Sequence, residues 1–501
     1  MANKPVHPRW RFVVGLTGIY AIWVIFVVLH HEPWRDEADV WLAARDMSPG
    51  QLFHWLGAAG TPGLWYLLVM PLAKGGLPYV SMAMLHVVLA ICVAAVVAIW
   101  SPFDRVFKVL LIFGFFLSYE YAVVARSYVL TALLLFLIAA ALTARVPRWW
   151  LLGVLLALLF NSNVHGFFIA TMISLVIAAG RLREGMSRAI WIGAIIAAAG
   201  CVLAFIQLLP PPGAPAPSDV RRWAILGYVE CEAFFPHVIH SMRDVRWDPH
   251  AWPRLALAWC GAIRAAGLLI LLSTLYVIRR NRAALVIVVL SWAAMTYVSV
   301  FKWYGGERHA GLFFLVTIFG LWIGQSAVPV EQSPRKELPR SERWARRINL
   351  AALRFSLLVA CATAALWEIR DLRWDYSGAK SAAMFIRSHD LQARPIAFGA
   401  GSQAEALLPY LPGVRFWCAG REDWGTYTLW NRDWRGDDRI SESEVLQRVA
   451  RHFGSSKPLL LVASKPLSAP ESVGYRLIYR NTGYIFEIGD ESFYLYEPIG
   501  Q

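Results

Sequence analysis

The sequence has few charged residues for its length. Asp, Glu, Lys and Arg make up 16% of the 501 residues, whereas apolar types make up 57%. A soluble domain is about one quarter charged and about half apolar. One globular core could not bury this much apolar surface, so the composition excludes an ordinary soluble enzyme and predicts a membrane protein.

Motifs typical of metal-binding, nucleic-acid-binding and secreted proteins are also missing. The six cysteines form no Cys-X-X-Cys pair, and most lie in apolar runs, where cysteine acts as a small hydrophobe. The net charge is +14, yet Lys and Arg form no continuous patch, so we expect membrane lipid and not nucleic acid as the partner. The first apolar run, 12–29, has no small-residue cleavage site and is expected to be an anchor.

The apolar segments predict a polytopic helical protein, because about 20 apolar residues are needed to cross a bilayer. The predicted spans are 11–29, 79–100, 106–119, 127–144, 149–162, 164–180, 188–209, 256–278, 283–301, 311–327 and 349–367. The run 62–73 is too short to cross and is expected to be an interfacial or re-entrant helix.

Basic residues support this map, since Lys and Arg concentrate in cytoplasmic loops. With the N-terminus inside, every second connection is basic, from 105–108 to 335–347. The map therefore places the N-terminus in the cytoplasm and the loops 30–61 and 210–254 outside the cytoplasmic (inner) membrane. It also delivers the C-terminal segment to the outside.

The C-terminal segment 369–501 has the pattern of a small α/β domain. Capped helical patterns cover 377–389 and 441–453, and short apolar runs at 395–400, 414–420 and 458–464 are typical of buried strands. The segments 475–488 and 492–497 alternate as strands around an Asn-Thr-Gly turn. The predicted fold class is thus an α-helical polytopic domain over 1–368 followed by an extracytoplasmic α/β domain over 369–501.

The first outer loop carries an unusual number of acids, in the sequence HHEPWRDEADVWLAARD. Trp34 and Trp41 bracket Asp36 and Glu37, and aromatic side chains settle at membrane interfaces. This places the two acids at headgroup depth, within reach of a lipid-linked substrate. A solvated, capped surface helix would also explain them.

Polar groups interrupt the apolar pattern at three further turns on the same predicted face. The candidates are Tyr121 and Arg126, then His165, then Lys302, Tyr304, Arg308 and His309. An arginine fork suits a phosphate group. A snorkelling arginine with an ion-pair partner and a structural histidine are the alternatives for the first two turns. The third is a basic loop outside, which breaks the positive-inside pattern and favours phosphate binding.

The beginning of the chain resembles the GT-C superfamily of membrane glycosyltransferases. One span is followed by Arg35-Asp36-Glu37 and then by Pro62-Gly63-Leu64-Trp65-Tyr66. This layout is most similar to the branch with aminoarabinose transferases, protein O-mannosyltransferases and rhizobial lipopolysaccharide-core transferases. The likeness covers about the first 330 residues in layout and is specific around 34–66. Where that branch commonly has Lys-Pro-Pro, this chain has Thr61-Pro62-Gly63.

The resemblance implies hexosyl or pentosyl transfer, with inversion, from a polyprenyl-phosphate-linked donor. The acceptor would be a hydroxyl group of a lipid, a polysaccharide or a protein of the cell envelope, reached on the periplasmic face. Asp36 matches the family's catalytic carboxylate, and Glu37 is expected as the second catalytic residue, which would orient the acceptor or the sugar. No cofactor is required, although the acids would allow a divalent metal. Arg126, Arg308 and His309 are the expected phosphate ligands, and His165, Tyr121, Lys302 and Tyr304 the expected substrate contacts.

Two other functions remain open at this point. A transporter or flippase of a lipid-linked saccharide is one, but such proteins often have repeated halves and midplane sites. This sequence has no evident repeat, and its polar residues gather at one face. A non-catalytic envelope assembly protein is the other; it would explain the C-terminal domain but not the basic loop 302–309.

Overall fold

The computed structural model describes a mostly helical chain with one small sheet. The described residues are 10–210, 228–238, 253–302, 306–326, 339–399, 404–429, 440–454, 459–486 and 491–499. They divide into two compact units, and each is described separately below. The predicted fold class, a polytopic helical protein with a C-terminal α/β part, is confirmed.

The helices follow the apolar pattern closely. In chain order they are α1 (Trp10–Val28), α2 (Arg35–Asp46), α3 (Pro49–Ala59), α4 (Leu64–Lys74), α5 (Val80–Trp100), α6 (Arg105–Ile112), α7 (Tyr128–Leu142), α8 (Trp149–Phe160), α9 (Val164–Glu184), α10 (Arg188–Leu208), α11 (Tyr228–Phe234), α12 (Pro253–Ile278), α13 (Arg282–Phe301), α14 (Glu307–Ser326), α15 (Arg340–Arg373), α16 (Ala379–Ser388) and α17 (Glu442–Phe453). Within the described parts of the chain, eight of these are long and apolar enough to cross a membrane: α1, α5, α9, α10, α12, α13, α14 and α15.

Three predicted spans are shorter than expected. Helices α7 and α8 have 15 and 12 residues. The predicted span 106–119 is wrong as one continuous helix, because α6 ends at Ile112 and a π-helical turn, Phe116–Glu120, follows. A π-turn widens the helix locally and is common at functional sites. Apolar composition alone could not reveal this break.

The first unit, which comprises Met1–Ile25, His86–Ile206 and Ala216–Trp367, is built around α14. Every residue from Ala310 to Ile323 is buried. Helix α14 packs against α7, α11 and α13, and α13 packs in turn against α9. A helix that is apolar all round belongs in an interior. The helices packed around α14 therefore fix its first turn, where Arg308 and His309 lie.

Small residues allow α8 and α10 to approach each other closely. A Cβ atom built at Gly153 would lie 2.3 Å from the carbonyl oxygen of Gly193, and one at Gly200 would lie 2.4 Å from Cα of Ala157. No larger side chain fits at these two glycines without moving a helix. Such close backbone contact is typical of helix pairs in membranes, where packing replaces the hydrophobic effect.

The second unit, which comprises Phe26–Leu85, Gln207–Pro215 and Glu368–Gln501, joins the first loop to the C-terminal segment. Helix α2 packs on α4 and on the 3₁₀ turn Leu408–Tyr410. The run predicted at 62–73 forms α4, which contains Pro71. The amide of Gly63, just before α4, donates to the side-chain oxygen of Gln207 at 2.9 Å.

A six-stranded mixed sheet forms the centre of the C-terminal segment. The strands are β1 (Ile396–Phe398), β2 (Phe416–Cys418), β3 (Asp423–Gly425), β4 (Leu460–Ala463), β5 (Tyr475–Arg480) and β6 (Tyr494–Pro498), in the order β3-β2-β1-β4-β6-β5. Strand β1 is parallel to β2 and β4, and the other pairs are antiparallel. Val449 and Phe453 of α17 pack on Trp417 and Tyr496 of the sheet. The predicted helices and buried strands of this segment are confirmed.

The segment that follows the Asn-Thr-Gly turn does not form the predicted strand. Strand β5 pairs with β6, whereas Ile485 forms an isolated bridge with Asp375. The side chain of Asn481 explains the difference, because it donates to the carbonyl oxygen of Gly378 at 3.1 Å and accepts from the amide of Phe493 at 2.7 Å. Because Asn481 bonds to these distant residues, the chain does not form a local hairpin at this turn.

Candidate functional site

Helix α2 gives its two neighbouring acids different environments. Successive residues of an α-helix point about 100° apart. Glu37 is fully buried, whereas Asp36 is partly exposed. Of the two predicted catalytic carboxylates, Asp36 is therefore the more accessible to solvent, and Glu37 faces the interior of the second unit.

The buried Glu37 belongs to an ionic triad centred on His31. Nε2 of His31 lies 3.3 Å from Oε2 of Glu37, and Nδ1 lies 2.7 Å from Oδ2 of Asp371. Carboxylates only accept hydrogen bonds, so both ring nitrogens donate and the imidazole is charged. Burial alone would lower the pKa of His31, but Asp371 and Glu37 outweigh it and raise the pKa to about 10.

Two carboxylates cap the first turn of α2. Oε2 of Glu37 accepts from the amide of Trp34 at 3.2 Å, and Oε1 of Glu491 accepts from the amide of Arg35 at 3.0 Å. The first amides of a helix have no partner within the helix, so side-chain oxygens that accept from them stabilise the turn. The start of α2, which carries Asp36, is thus fixed by residues from both ends of the chain.

Several other carboxyl groups of the second unit have raised pKa values. Burial raises the pKa of Glu32 to about 7 and that of Glu491 to about 8, and the charge of Asp36 adds to the effect on Glu491. Burial also raises the pKa of Glu405 well above its usual range, and Asp39 and Asp36 add to it. When these carboxyl groups are protonated they carry no charge, so several acids can lie near one another with less electrostatic repulsion.

The described residues contain no group of three or more His, Cys, Asp or Glu side chains placed to hold a metal ion. The ring of His31 already donates from both nitrogens to carboxylates.

The first unit contains a second polar cluster, in which two predicted histidines meet. The ring centroids of His165 and His309 lie 4.9 Å apart. The amide of Gly306 donates to Nδ1 of His309 at 3.0 Å, so Nδ1 is unprotonated and Nε2 carries the ring hydrogen. Nε2 in turn lies 3.0 Å from the hydroxyl of Tyr128. Both nitrogens of His309 are thus used to shape its loop.

Two arginines accompany these histidines. Arg126 and Arg308 are partly exposed, and both are close enough to His309 to interact with it electrostatically. The hydroxyl of Tyr121 donates to the carbonyl oxygen of Arg308. The nitrogens of His86 lie 3.2 and 3.1 Å from the carbonyl oxygens of Ala122 and Arg126, which fixes the turn before α7. We call Arg126, His165, Arg308 and His309 the basic cluster.

The remaining predicted residues lie apart from these contacts or are used differently. Lys302 is exposed at the C-cap of α13, and Tyr304 lies outside the described residues. The side chain of Asn163 caps α9 at the amide of Gly166 and also donates to Thr131. His165 is 6% exposed, and its Nε2 has no hydrogen-bond partner among the described residues. His165 therefore retains an available nitrogen, whereas His309 does not.

Sequence reasoning missed several residues that hold these clusters. His31 and Tyr128 stood in the motifs but carried no signal for a buried role. Tyr228, whose hydroxyl donates to Oε1 of Glu307 at 2.6 Å, is the first residue of α11, in a segment that the sequence predicted as a loop. Glu491 is separated from Arg35 by 456 positions, so no local feature could connect them.

Gly311 offers a test of the contact between Tyr121 and Arg308. A Cβ atom at Gly311 would lie 2.3 Å from the hydroxyl oxygen of Tyr121 and 2.4 Å from the ring of Phe116. We expect Gly311→Ala to destabilise the protein by about 1–3 kcal/mol through overpacking. Thermal unfolding in detergent measures this, with Gly261→Ala as the control, because a Cβ at Gly261 meets nothing within 4 Å. Equal melting temperatures for the two variants would contradict this packing.

No protein-family model matches the chain, and no curated protein sequence matches it. The solved structures do include a similar fold. ArnT from Cupriavidus metallidurans, in a crystal structure bound to undecaprenyl phosphate, superposes with a TM-score of 0.50 at 11% sequence identity. The match covers 97% of this chain and 99% of ArnT. Over nearly its whole length, this chain therefore has a fold similar to that of ArnT.

Proposed function

We propose that the chain is a glycosyltransferase that moves a hexosyl or pentosyl group from a polyprenyl-phosphate-linked donor to an acceptor hydroxyl. The fold shared with ArnT carries this proposal, because the likeness extends over almost all of both chains. ArnT was solved with undecaprenyl phosphate, the product that such a donor leaves behind. Fold alone does not define a reaction, so the proposal also depends on the two polar clusters.

Asp36 is the proposed general base. In the reaction, the acceptor oxygen attacks the anomeric carbon from the face opposite the phosphate, the bond from that carbon to the phosphate oxygen breaks, and the acceptor proton passes to Asp36. The sugar is inverted, and polyprenyl phosphate leaves. Partial exposure of Asp36 on a helix with a fixed first turn suits this task. A positioned carboxylate base contributes about 10²–10⁴-fold to a rate.

The basic cluster is the proposed phosphate site. Arg126 and Arg308 are the cations that would stabilise the negative charge developing on the departing phosphate. Nε2 of His165 has no hydrogen-bond partner among the described residues, whereas His309 orders the turn through Gly306 and Tyr128. We therefore revise the expected role of His309 from direct ligand to positioning residue.

We further propose that the chain lies in the inner membrane with its N-terminus in the cytoplasm and Asp36 on the periplasmic side. The alternation of basic loops supports this orientation. The acceptor would then be a lipid, polysaccharide or protein hydroxyl of the cell envelope.

Two measurements test the function together. Mass spectrometry of envelope glycolipids and glycans, with and without the gene, should reveal one glycan signal that needs the protein. Native mass spectrometry of the purified protein should show undecaprenyl phosphate bound in preference to undecaprenol, which lacks the phosphate. A gene-independent glycan profile together with equal binding of the two lipids would overturn the proposal. Preferential binding with an accumulated, untransferred saccharide would indicate a flippase instead.

Arg308→Gln is expected to weaken undecaprenyl phosphate binding about 10- to 100-fold. A hydrogen bond between charged groups is worth about 1.5–3 kcal/mol, and glutamine retains a polar side chain without the charge. Titration with undecaprenyl phosphate measures the change. Arg183→Gln, an exposed arginine in the last turn of α9, is the control and should bind like the native protein. Equal affinities for both variants would remove Arg308 from the phosphate site.

A further inference from the structure

The C-terminal segment contributes a buried carboxylate to the first loop. Glu491 is fully buried, and its backbone carbonyl accepts from the amide of Gly378 at 3.0 Å, which fixes it within its own segment. From there Oε1 reaches Arg35, accepting the amide at 3.0 Å and lying 3.8 Å from Nε of the guanidinium. One carboxylate oxygen thus contacts both the backbone and the side chain of Arg35.

This contact takes the place of a local helix cap. The N-cap residue of α2 is Trp34, whose side chain has no oxygen to accept from the first amides. Glu37 satisfies the amide of Trp34, but the amide of Arg35 depends on Glu491. Loss of a cap destabilises a helix and loosens its first turn.

The loosened turn would be the one that carries Asp36. Asp36 follows Arg35 directly in the first turn of α2, and its charge acts on Glu491, so the two carboxyl groups are close. A shift of the Arg35 backbone would move Asp36 with it. A catalytic group displaced by about 1 Å can lose about 10²-fold in rate.

Two more contacts in the same unit support the arrangement. The amide of Lys380 donates to Oε1 of Glu32 at 2.6 Å, and the indole nitrogen of Trp55 donates to the carbonyl oxygen of Thr428 at 2.9 Å. The first loop is therefore attached to the C-terminal segment at its beginning, at the start of α2 and in α3.

We infer that Glu491 is a positioning residue for Asp36, and that holding the acidic helix is a task of the C-terminal α/β segment. This inference rests on the proposed function of Asp36. It assigns the segment a part in the reaction that does not require it to bind the acceptor. Glu491 itself touches no reacting atom; it acts through the amide of Arg35.

The test compares Glu491→Ala with Glu491→Gln, because glutamine keeps an oxygen that can accept from Arg35. The rate at which the gene-dependent glycan forms in membranes of the deletion strain should fall about 10- to 100-fold for Glu491→Ala and less than about 5-fold for Glu491→Gln. The matched control is Glu497→Gln, a carboxylate of β6 that pairs with Arg394 and Arg476. It should leave the rate unchanged.

Hydrogen exchange separates positioning from a general loss of folding. Peptides covering 34–40 should exchange faster in Glu491→Ala, and peptides of the β1–β4 pair should not. Native rates with Glu491→Ala, or equal rates for the alanine and glutamine variants, would overturn the inference. If Glu491→Ala does not fold, slow exchange of 34–40 in Glu491→Gln supports the cap and fast exchange contradicts it. If the native strain forms no gene-dependent glycan, the proposed function is refuted. The exchange data would still show whether Glu491 stabilises the first turn of α2.

Discussion

Replacing Asp36 with Asn is expected to lower the rate of glycan formation about 10²–10⁴-fold, the usual contribution of a general base. Asparagine matches aspartate in size, so α2 should keep its position, yet the amide cannot accept the acceptor proton. Binding of undecaprenyl phosphate should remain native, because Asp36 is not part of the basic cluster. The readouts are the gene-dependent glycan signal in the deletion strain and lipid titration of the purified protein.

Asp46→Asn is the matched control for this experiment. Asp46 ends the same helix and pairs with Arg45, with 2.7 Å between Oδ1 and Nε. The substitution removes one negative charge from α2 without touching its first turn, so the rate should stay native. A fully active Asp36→Asn variant would refute the assignment of the base. Equal loss in both variants would point to net charge on the helix as the cause.

Replacing His31 with Ala is expected to destabilise the protein by about 3–5 kcal/mol, because it leaves two buried carboxylates without their shared cation. Equilibrium unfolding in detergent measures the change. His54→Ala, an exposed histidine of α3, should unfold like the native protein. Adding Asp371→Asn to His31→Ala should recover part of the loss, since one buried charge then disappears. A double variant less stable than the single one would contradict the ionic triad.

The pH dependence of this effect follows from the raised pKa of His31, about 10 in the folded protein against 6.5 for an ordinary histidine. Below pH 6.5 the ring is charged in both states, and its stabilising contribution is fully present. As pH rises from 6.5 to about 10, only the folded state holds the proton, and the contribution is lost. The stability difference between native protein and His31→Ala should therefore shrink over this range. A constant difference would indicate an uncharged ring.

Glu32 and Glu491 change the stability in the same direction as His31 does. Their pKa values are raised to about 7 and about 8 by burial, so the folded state holds their protons more tightly than the unfolded state does. Their protonated forms favour folding, and the advantage declines as pH rises from about 4.5 through those values. The comparison with His31→Ala removes this shared background.

The sequence predicted helices and strands well wherever one periodic pattern dominates. Helix α17 was expected at 441–453 and occupies Glu442–Phe453, because Ser441 caps it and its apolar face packs on the sheet. The prediction of one continuous span at 106–119 was wrong, because the composition of a π-turn does not differ from that of a continuous apolar helix. The strand predicted after Asn481 was wrong because the side chain of Asn481 bonds to backbone groups distant in the sequence.

The functional residues could be predicted only as far as residue type and spacing allow. Asp36 and Glu37 look equivalent in the sequence, and only the facing of α2 separates a partly exposed acid from a buried one. The sequence predicts His309 as a phosphate ligand but could not reveal that its Nδ1 accepts from the amide of Gly306. Glu491 required the tertiary fold, because its partner lies near the other end of the chain.

The brevity of α8 has a consequence for the surrounding bilayer. Its 12 residues span about 18 Å, against a hydrocarbon core of about 30 Å. Such a mismatch thins the bilayer locally or draws water down to the helix end. The turn that follows α8 leads directly to His165. In lipid, the bilayer around that end of α8 should therefore be thinner, or more hydrated, than the bilayer around the longer helices.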